Sequence, residues 1–417
     1  MDINEQTRRF IAAHRTEQVR DIALHAHSKD GTDLAVALDC IEGWQRARTK
    51  LPQWAACKGI IYPPHLAMEQ CSSQSTAQYK ADLAQRLSSG APRPTTLIDI
   101  TGGFGIDFSY MSRVFDRAVY IERQQHLCEL AEHNMHALGI GNAKTVNADA
   151  AAILDELPPA TLIMADPARR DAHGSRTYAI ADCTPDMLAI LPKLAGIAPT
   201  IIIKLSPMLD WHQAAQDCNR ALDDAATPAA VSEIHIVSVH NECKELLLVI
   251  TRHGAEDSET DTFLLVTCVD DDTVFSFHAQ DTAGTKAQER KQLRHNAQQT
   301  APDQPAYLYE PNASLMKASC FDLLAQRFGV TQIDSNSHLF VSDKQVDAFP
   351  GRAFAINTYG PVKHTLRGIK QANIAVRNYP ASVAQVRKRY HIADGGDTFV
   401  FLTTMSGKKT AFVCVKA

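Results

Sequence analysis

The sequence has no apolar run approaching the roughly 20 residues that a membrane-spanning helix needs. Its first residues, MDINEQTRRF, lack the apolar centre of a secretory signal, so export is not expected. No CxxC pair occurs among the ten cysteines, which lie scattered at 40, 57, 71, 128, 183, 218, 243, 268, 320 and 414. That scatter argues against a disulfide framework or a cysteine-rich zinc site, and it fits reduced thiols in a cytoplasmic protein. Histidines come close together there only as HAH at 25–27, which suits a polar helix face better than a ligand set, so no metal is expected. A strong charge of either sign is also missing. With 42 Lys and Arg against 47 Asp and Glu, the net charge of −5 exerts no global pull toward nucleic acid or membrane. Any polyanionic partner must meet a local patch.

What is present is a globular composition, 45% hydrophobic and 21% charged, over 417 residues. That is too long for one ordinary core, and two to four domains are expected. Residues 1–90 read as helical, with apolar residues at three-to-four spacing, and SSGAPRP at 88–94 reads as a linker. From Thr95 short apolar runs alternate with amphipathic helices. The expected strands are 95–100, 118–122, 144–149, 161–166, 200–206, 232–239 and 245–251. One intervening helix presents Leu127, Leu130, Ala131, Asn134 and Leu138 on one face and ends at Gly139. Another starts at TPDMLAIL, with Thr184 as N-cap. The alternation predicts an α/β fold with a seven-stranded, mostly parallel, doubly wound sheet. The last two strands, separated only by HNECK, form an antiparallel hairpin. Beyond 255 the alternation stops. A hairpin turning at Asp270–Asp272, a polar connector, a strand–helix–strand stretch and a last α+β unit from 351 follow.

In an open α/β sheet, ligands sit outside the carboxyl ends of the strands. Four consecutive strands here end in acids: Asp99, Glu122, Asp149 and Asp166. The loop after the first strand is Thr101-Gly102-Gly103-Phe104-Gly105, followed by Asp107, and it lacks the GxGxxG spacing of a dinucleotide site. An acid directly before it would repel a pyrophosphate. S-adenosylmethionine (SAM) suits the set, because it carries a sulfonium and an ammonium and no phosphate. The glycines then admit the methionine part, Asp99 lies near the cationic end, Glu122 bonds the ribose hydroxyls and Asp149 accepts from the adenine amino group. Each acid taken singly is equally a helix cap, and the weight lies in the ordered set of four.

LIDITGGFGID, YIE, NADA and ADPARR resemble motifs one to four of class I SAM-dependent methyltransferases. With EQCSSQSTAQYKA, NECKELLLVI and RNYP, the chain resembles a bacterial group of such enzymes that carry a ferredoxin-like segment and a THUMP-like C-terminal domain. The resemblance implies a Rossmann-like methyltransferase domain over 91–255 after the helical region 1–90. It further implies a ferredoxin-like α+β segment over 256–345, a THUMP-like domain over 346–417 and a connection to RNA. It supplies no substrate.

In amino-directed methyltransferases the Asp or Asn ending strand four is followed by two prolines and an aromatic that stacks on an extruded base. Here Asp166-Pro167 is kept, but Ala168, Arg169 and Arg170 follow. Asp166, Arg169 and Arg170 are the catalytic candidates, with the arginines stacking on a base or holding a phosphate. The alternative is a capped turn with solvated cations. Lys204 reads as a lysine snorkelling from a strand end, with catalysis as the lesser option. Trp211 and Tyr178 offer a stacking surface or simple packing, SSQSTAQYK at 72–80 a cover for the cofactor or a helix cap, and Asn241 and Glu242 either turn chemistry or substrate contact.

From Pro361 to Ala393 seven Lys/Arg occur with no Asp or Glu. Such one-sided density is what a phosphate-binding face needs, and Arg377, Tyr379, Arg387, Lys388 and Arg389 are its substrate-binding candidates, with Tyr390 a second ring. A solvated face is the plain alternative. The expected activity is methyl transfer from SAM to RNA, with tRNA as one option. A protein or small-molecule methyltransferase, or a SAM/RNA-binding module without catalysis, stays open.

Overall fold

Nearly every residue of the central strands is buried, as strands covered on both faces require. The computed structural model describes residues 3–25, 31–169, 180–253, 263–283 and 304–417. The chain divides into one unit of Met1–Ile234 with Lys244–Thr262, and a second of His235–Cys243 with Phe263–Ala417.

The first strands are β1 (Thr96–Asp99), β2 (Arg117–Glu122), β3 (Ala143–Asn147), β4 (Leu162–Ala165), β5 (Thr200–Leu205), β6 (Ala229–Val239) and β7 (Glu242–Arg252), all in the first unit except the hairpin end of β6 and β7, His235–Cys243. Their order is β3-β2-β1-β4-β5-β7-β6, with β1 to β5 parallel and β7 antiparallel to β5. The α/β reading and the seven expected strands, the last pair a hairpin, are found, but the sheet counts nine strands, because the hairpin of Leu265–Asp270 and Thr273–His278 continues it beyond β6. The direction of winding reverses at β1, which lies between β2 and β4, and a crevice opens there at the strand ends.

Local chemistry sets the boundaries. β6 and β7 run longer than the apolar pattern suggests, because their turn needs only His240 and Asn241, at φ 53° and 60°. Two positive-φ residues match the twist of a tight hairpin. The helix Met187–Ile197 is capped by Asp186, which accepts from the Ala189 N–H, and not by Thr184. Thr184 instead pairs with Ala168 in a two-residue ladder that also joins Cys183 to Arg169. In helix Gln125–Ala137 the fully buried face is Cys128, Leu130, Ala131, Asn134 and Met135, with Leu127 and Leu138 at its margins. Asn134 earns its place there by pairing with the Ile61 backbone, both bonds 2.9 Å.

The helix Gln74–Leu87 packs on helix Ile106–Met111, just after the glycine loop. Ser73 caps it, and its buried face is Thr76, Ala77, Lys80, Ala81, Leu83 and Ala84. Small residues permit close approach. The lysine in their midst is the exception.

In the second unit, the hairpin β8 (Leu265–Asp270) and β9 (Thr273–His278) turns at Asp271–Asp272. A seven-stranded sheet then gathers β10 (Tyr307–Pro311), β11 (Thr331–Gln332), β12 (Phe340–Ser342), β13 (Gly351–Pro361), β14 (Asn373–Val376), β15 (Phe399–Met405) and β16 (Lys408–Lys416). Its order is β11-β12-β10-β13-β16-β15-β14, antiparallel except between β14 and β15. Two clusters fill it, one around Leu308, Phe354, Phe401 and Phe412 and one around Val362, Leu366, Val386 and Val400. Residues 284–303, most of the polar connector, lie outside the described residues.

Candidate functional site

The glycine loop turns where β1 meets its two neighbours, and its glycines answer to specific collisions. A Cβ on Gly102 would stand 2.1 Å from the Tyr120 ring, and one on Gly105, at φ 83°, would stand 2.8 Å from Met135 Cε. Only glycine lets the loop lie this close to β2. Gly103 N–H donates to Glu122 Oε2 at 3.0 Å, and Gln124 N–H donates to Oε1 at 2.8 Å. Each carboxylate oxygen keeps a lone pair for a further donor. Asp149 is exposed and caps a short turn through the Ala151 N–H.

Asp99 is 4% exposed and accepts from the Thr101 N–H at 3.0 Å. Burial pushes its carboxyl up to about 7. The Thr101 bond opposes this, and Asp107, Asp166 and Glu122 add to it. Asp166 begins the turn after β4, where its N–H donates to Thr101 Oγ1, and its side chain is 45% exposed. Thus Asp99, the loop 101–105, Asp107, Glu122 and Asp166 come together at one sheet edge. The backbone of Arg169 belongs to the small ladder beyond Pro167. Arg170 and Tyr178 lie outside the described residues.

Two lysines and a glutamate complete this cluster. Lys204, at the end of β5, places Nζ 2.7 Å from Asp166 Oδ2, 3.1 Å from Ser72 Oγ and 3.4 Å from Asp107 Oδ2. Lys80 is fully buried, and its Nζ donates to both oxygens of Glu245 at 2.6 Å and lies 3.3 Å from Asp107 Oδ1. Asp107 therefore stands between two ammonium groups. Burial works to raise its pKa, but Lys80, Lys204 and the Ser72 hydroxyl outweigh it and hold the carboxyl below its usual value. Lys204 is raised well above the ordinary lysine value: burial opposes the charge, and Asp166, Asp107 and Glu245 overcome it. Cys71, Ser72, Asp99, Thr101–Asp107, Met164, Asp166 and Lys204 line a cleft of about 60 Å³.

The sequence pattern offered a signal for Lys80, a charge on an otherwise small and apolar helix face, and for Glu245, an acid opening the run LLLVI. Glu245 was not among the candidates read from it, and Lys80 entered only as the last residue of the segment 72–80. Trp211 is buried at the start of helix Trp211–Asp224, and Asn241 spends its side chain on the Ala313 N–H. Both serve packing and turns.

The second unit holds the basic segment. Arg377 donates to buried Glu310 at 2.8 Å, and Arg352 bonds the same carboxylate. Arg387 pairs with Asp394. Tyr379 and Tyr390 are half-buried against the second core cluster. Lys388 and Arg389 are exposed, as are Lys363, Arg367 and Lys370. Among the described residues no group of acids, histidines and cysteines is arranged to hold a metal, and no helix is long and apolar enough to cross a membrane. No disulfide joins any of the ten cysteines.

Residues 307–350 match the model of a ferredoxin-like domain family, and 351–416 match that of a THUMP domain-like family. No curated protein matches the chain. Among solved structures, a protein of Porphyromonas gingivalis W83 provisionally named a methyltransferase aligns over 100% of both chains, at 29% identity and a TM-score of 0.81. A Listeria monocytogenes protein provisionally named a class I SAM-dependent methyltransferase aligns with 64% of this chain and 94% of its own, at 9% identity and a TM-score of 0.42. A provisionally named methyltransferase of Streptococcus mutans, solved with SAH, aligns with 41% of this chain and 97% of its own, at 12% identity and a TM-score of 0.30. The last two likenesses are too loose to carry a function.

Proposed function

The chain joins a class I methyltransferase fold to a ferredoxin-like segment and a THUMP-like C-terminal domain, and from that premise we propose that it transfers a methyl group from SAM to RNA. The observation that carries the cofactor is the excess of acid around the glycine loop. Among the described side chains there, Asp99, Asp107, Glu122 and Asp166 outnumber Lys204 and Lys80, and Asp99 is held up to about 7 by burial and its acidic neighbours. An acidic excess around the glycine loop fits a cationic ligand and disfavours a pyrophosphate there. The loop backbone would receive the methionine part, Asp99 the cationic end, Glu122 the ribose hydroxyls and Asp149 the adenine amino group. When bound, SAM supplies an activated methyl group on sulfur.

RNA is favoured by the acid-free segment 361–393, whose exposed Lys363, Arg367, Lys370, Lys388 and Arg389 suit phosphates. The thiols without disulfides suit a reducing, cytoplasmic setting. Glu122→Ala removes acceptors for two charge-assisted bonds of about 1.5–3 kcal/mol each. Calorimetry on the folded variant should show SAM affinity reduced at least tenfold, and an unchanged affinity would sink the cofactor assignment. Labelled methyl groups should enter RNA and not protein or metabolite fractions.

A further inference from the structure

The group that ends β4 is not a lone carboxylate. Asp166 and Lys204 present an acceptor and a donor side by side, 2.7 Å apart, on the wall of the cleft that also holds the glycine loop. A hydroxyl carries one O–H and two lone pairs. It can donate to Asp166, accept from Lys204 and still keep a lone pair for attack. A pyridine-type ring nitrogen has a single lone pair, which the ammonium would occupy. An exocyclic base amine has its lone pair tied into the ring and gives the lysine nothing to bind. The chain after Asp166 also lacks the second proline and aromatic ring that would hold an extruded base, since Pro167-Ala168-Arg169 stands there.

We propose that the acceptor is a hydroxyl oxygen, the ribose 2′-hydroxyl of RNA, held between Asp166 and Lys204. This rests on the reading of the chain as a SAM-dependent RNA methyltransferase and names its acceptor atom. RNA and DNA differ at this hydroxyl, so the same pair would select RNA. As the C–O bond forms and the S–C bond breaks, the hydroxyl proton passes to the Asp166 carboxylate, which later loses it to water. Lys204 keeps its three protons and stabilises the negative charge growing on the oxygen. In the free site its three N–H groups meet Asp166, Asp107 and Ser72. On binding, the one that meets Asp166 passes to the substrate hydroxyl, which itself donates to Asp166, while Asp107 and Ser72 keep the ammonium charged and aimed. Lys80 and Glu245 act through Asp107 as positioning residues: Lys80 fixes Asp107 from behind, and Glu245 holds Lys80 with both oxygens.

The experiment uses the full chain, labelled SAM and total RNA from cells lacking this protein, followed by digestion to nucleosides. Label should appear in ribose-methylated nucleosides and in alkali-resistant dinucleotides. An oligonucleotide with a single 2′-deoxy substitution at the target should bind within about threefold of the parent and accept no methyl group. Label on a base overturns the acceptor assignment and leaves the RNA reading standing. Label only in protein or metabolites, or in no fraction, overturns both. Lys204→Met and Asp166→Asn should each lower kcat at least 100-fold, with the SAM Kd within about threefold. Should Lys204→Met lower the melting temperature, Lys204→Arg, which keeps the charge, decides. It should fold and retain at least ten times the activity of Asp166→Asn, and equal loss in both overturns the donor role. The pair Lys80→Met, Glu245→Leu should lower kcat about tenfold at unchanged KM for RNA. A shift in melting temperature without a change in kcat would return those two to a structural role.

Discussion

The acidic sheet edge of the first unit and the basic segment of the second distribute charge in opposite ways. At the sheet edge, lysines and acids alternate in space from Glu245 through Lys80, Asp107 and Lys204 to Asp166, although they lie far apart in sequence. In the basic segment the cations crowd together in sequence, yet Arg377 and Arg387 turn away to carboxylates of their own unit. Charge density along a chain thus overstates what a surface can offer. Charges dispersed along a chain can understate what an interior has gathered.

The sharpest way to break this contrast is Lys80→Met. It leaves Glu245 buried at 2% exposure without its bidentate partner, and removing one member of such a pair costs about 3–5 kcal/mol. The double variant Lys80→Met, Glu245→Leu should regain most of that loss. Denaturant unfolding followed by circular dichroism would measure both, and equal stability of the single and double variants would dissolve the pairing.

The next effect lies in pH. Asp99 sits at about 7 in the folded chain, above its ordinary 3.8, so the folded state binds the extra proton. Its contribution to stability is therefore full below about 4, lost as pH rises toward 7 and level above. A cationic ligand favours the ionised form, so SAM affinity should climb by up to about tenfold per pH unit below 7 and then flatten. Asp99→Asn should give a flat profile. Calorimetry across pH 5–8 would show it, and a parent profile as flat as the variant's would refute the link.

The smallest effect concerns the basic segment. Lys388→Ala with Arg389→Ala should flatten the salt dependence of RNA binding by about 1.4–1.8 units, counting two phosphates. Arg387→Ala and Arg377→Ala should lower the stability of the second unit and leave the slope alone. Filter binding over a salt series tests both, and parallel lines for parent and double variant would mean the exposed cations are only solvated.

Much of the fold was legible because burial on both faces leaves continuous apolar runs, and Asp99 and Glu122 could be placed at strand ends by counting, with Asp166 one residue and Asp149 two residues past the ends of theirs. The glycine loop was legible for the same reason. Lys80 and Glu245 were not, because their meaning lies in a contact across 165 residues that no local pattern records. Thr184 misled as a cap because Asp186, two residues on, reaches the helix amides. The partners of Arg377 and Arg387 were hidden in the same way, since Glu310 belongs to a distant strand and Asp394 lies just past the acid-free segment.

That long-range pair also sets an order of assembly during synthesis. The helix carrying Lys80 leaves the ribosome well before Glu245 exists, and every strand from β1 to β6 is made in between. Until β7 emerges, burying this helix face against the sheet would leave Lys80 with Asp107 alone, a carboxylate it shares with Lys204. Closure of the unit is therefore favoured once its last strand is made. A nascent chain halted before Glu245 would hold its helical region open, and the cleft would take shape late and in one cooperative step.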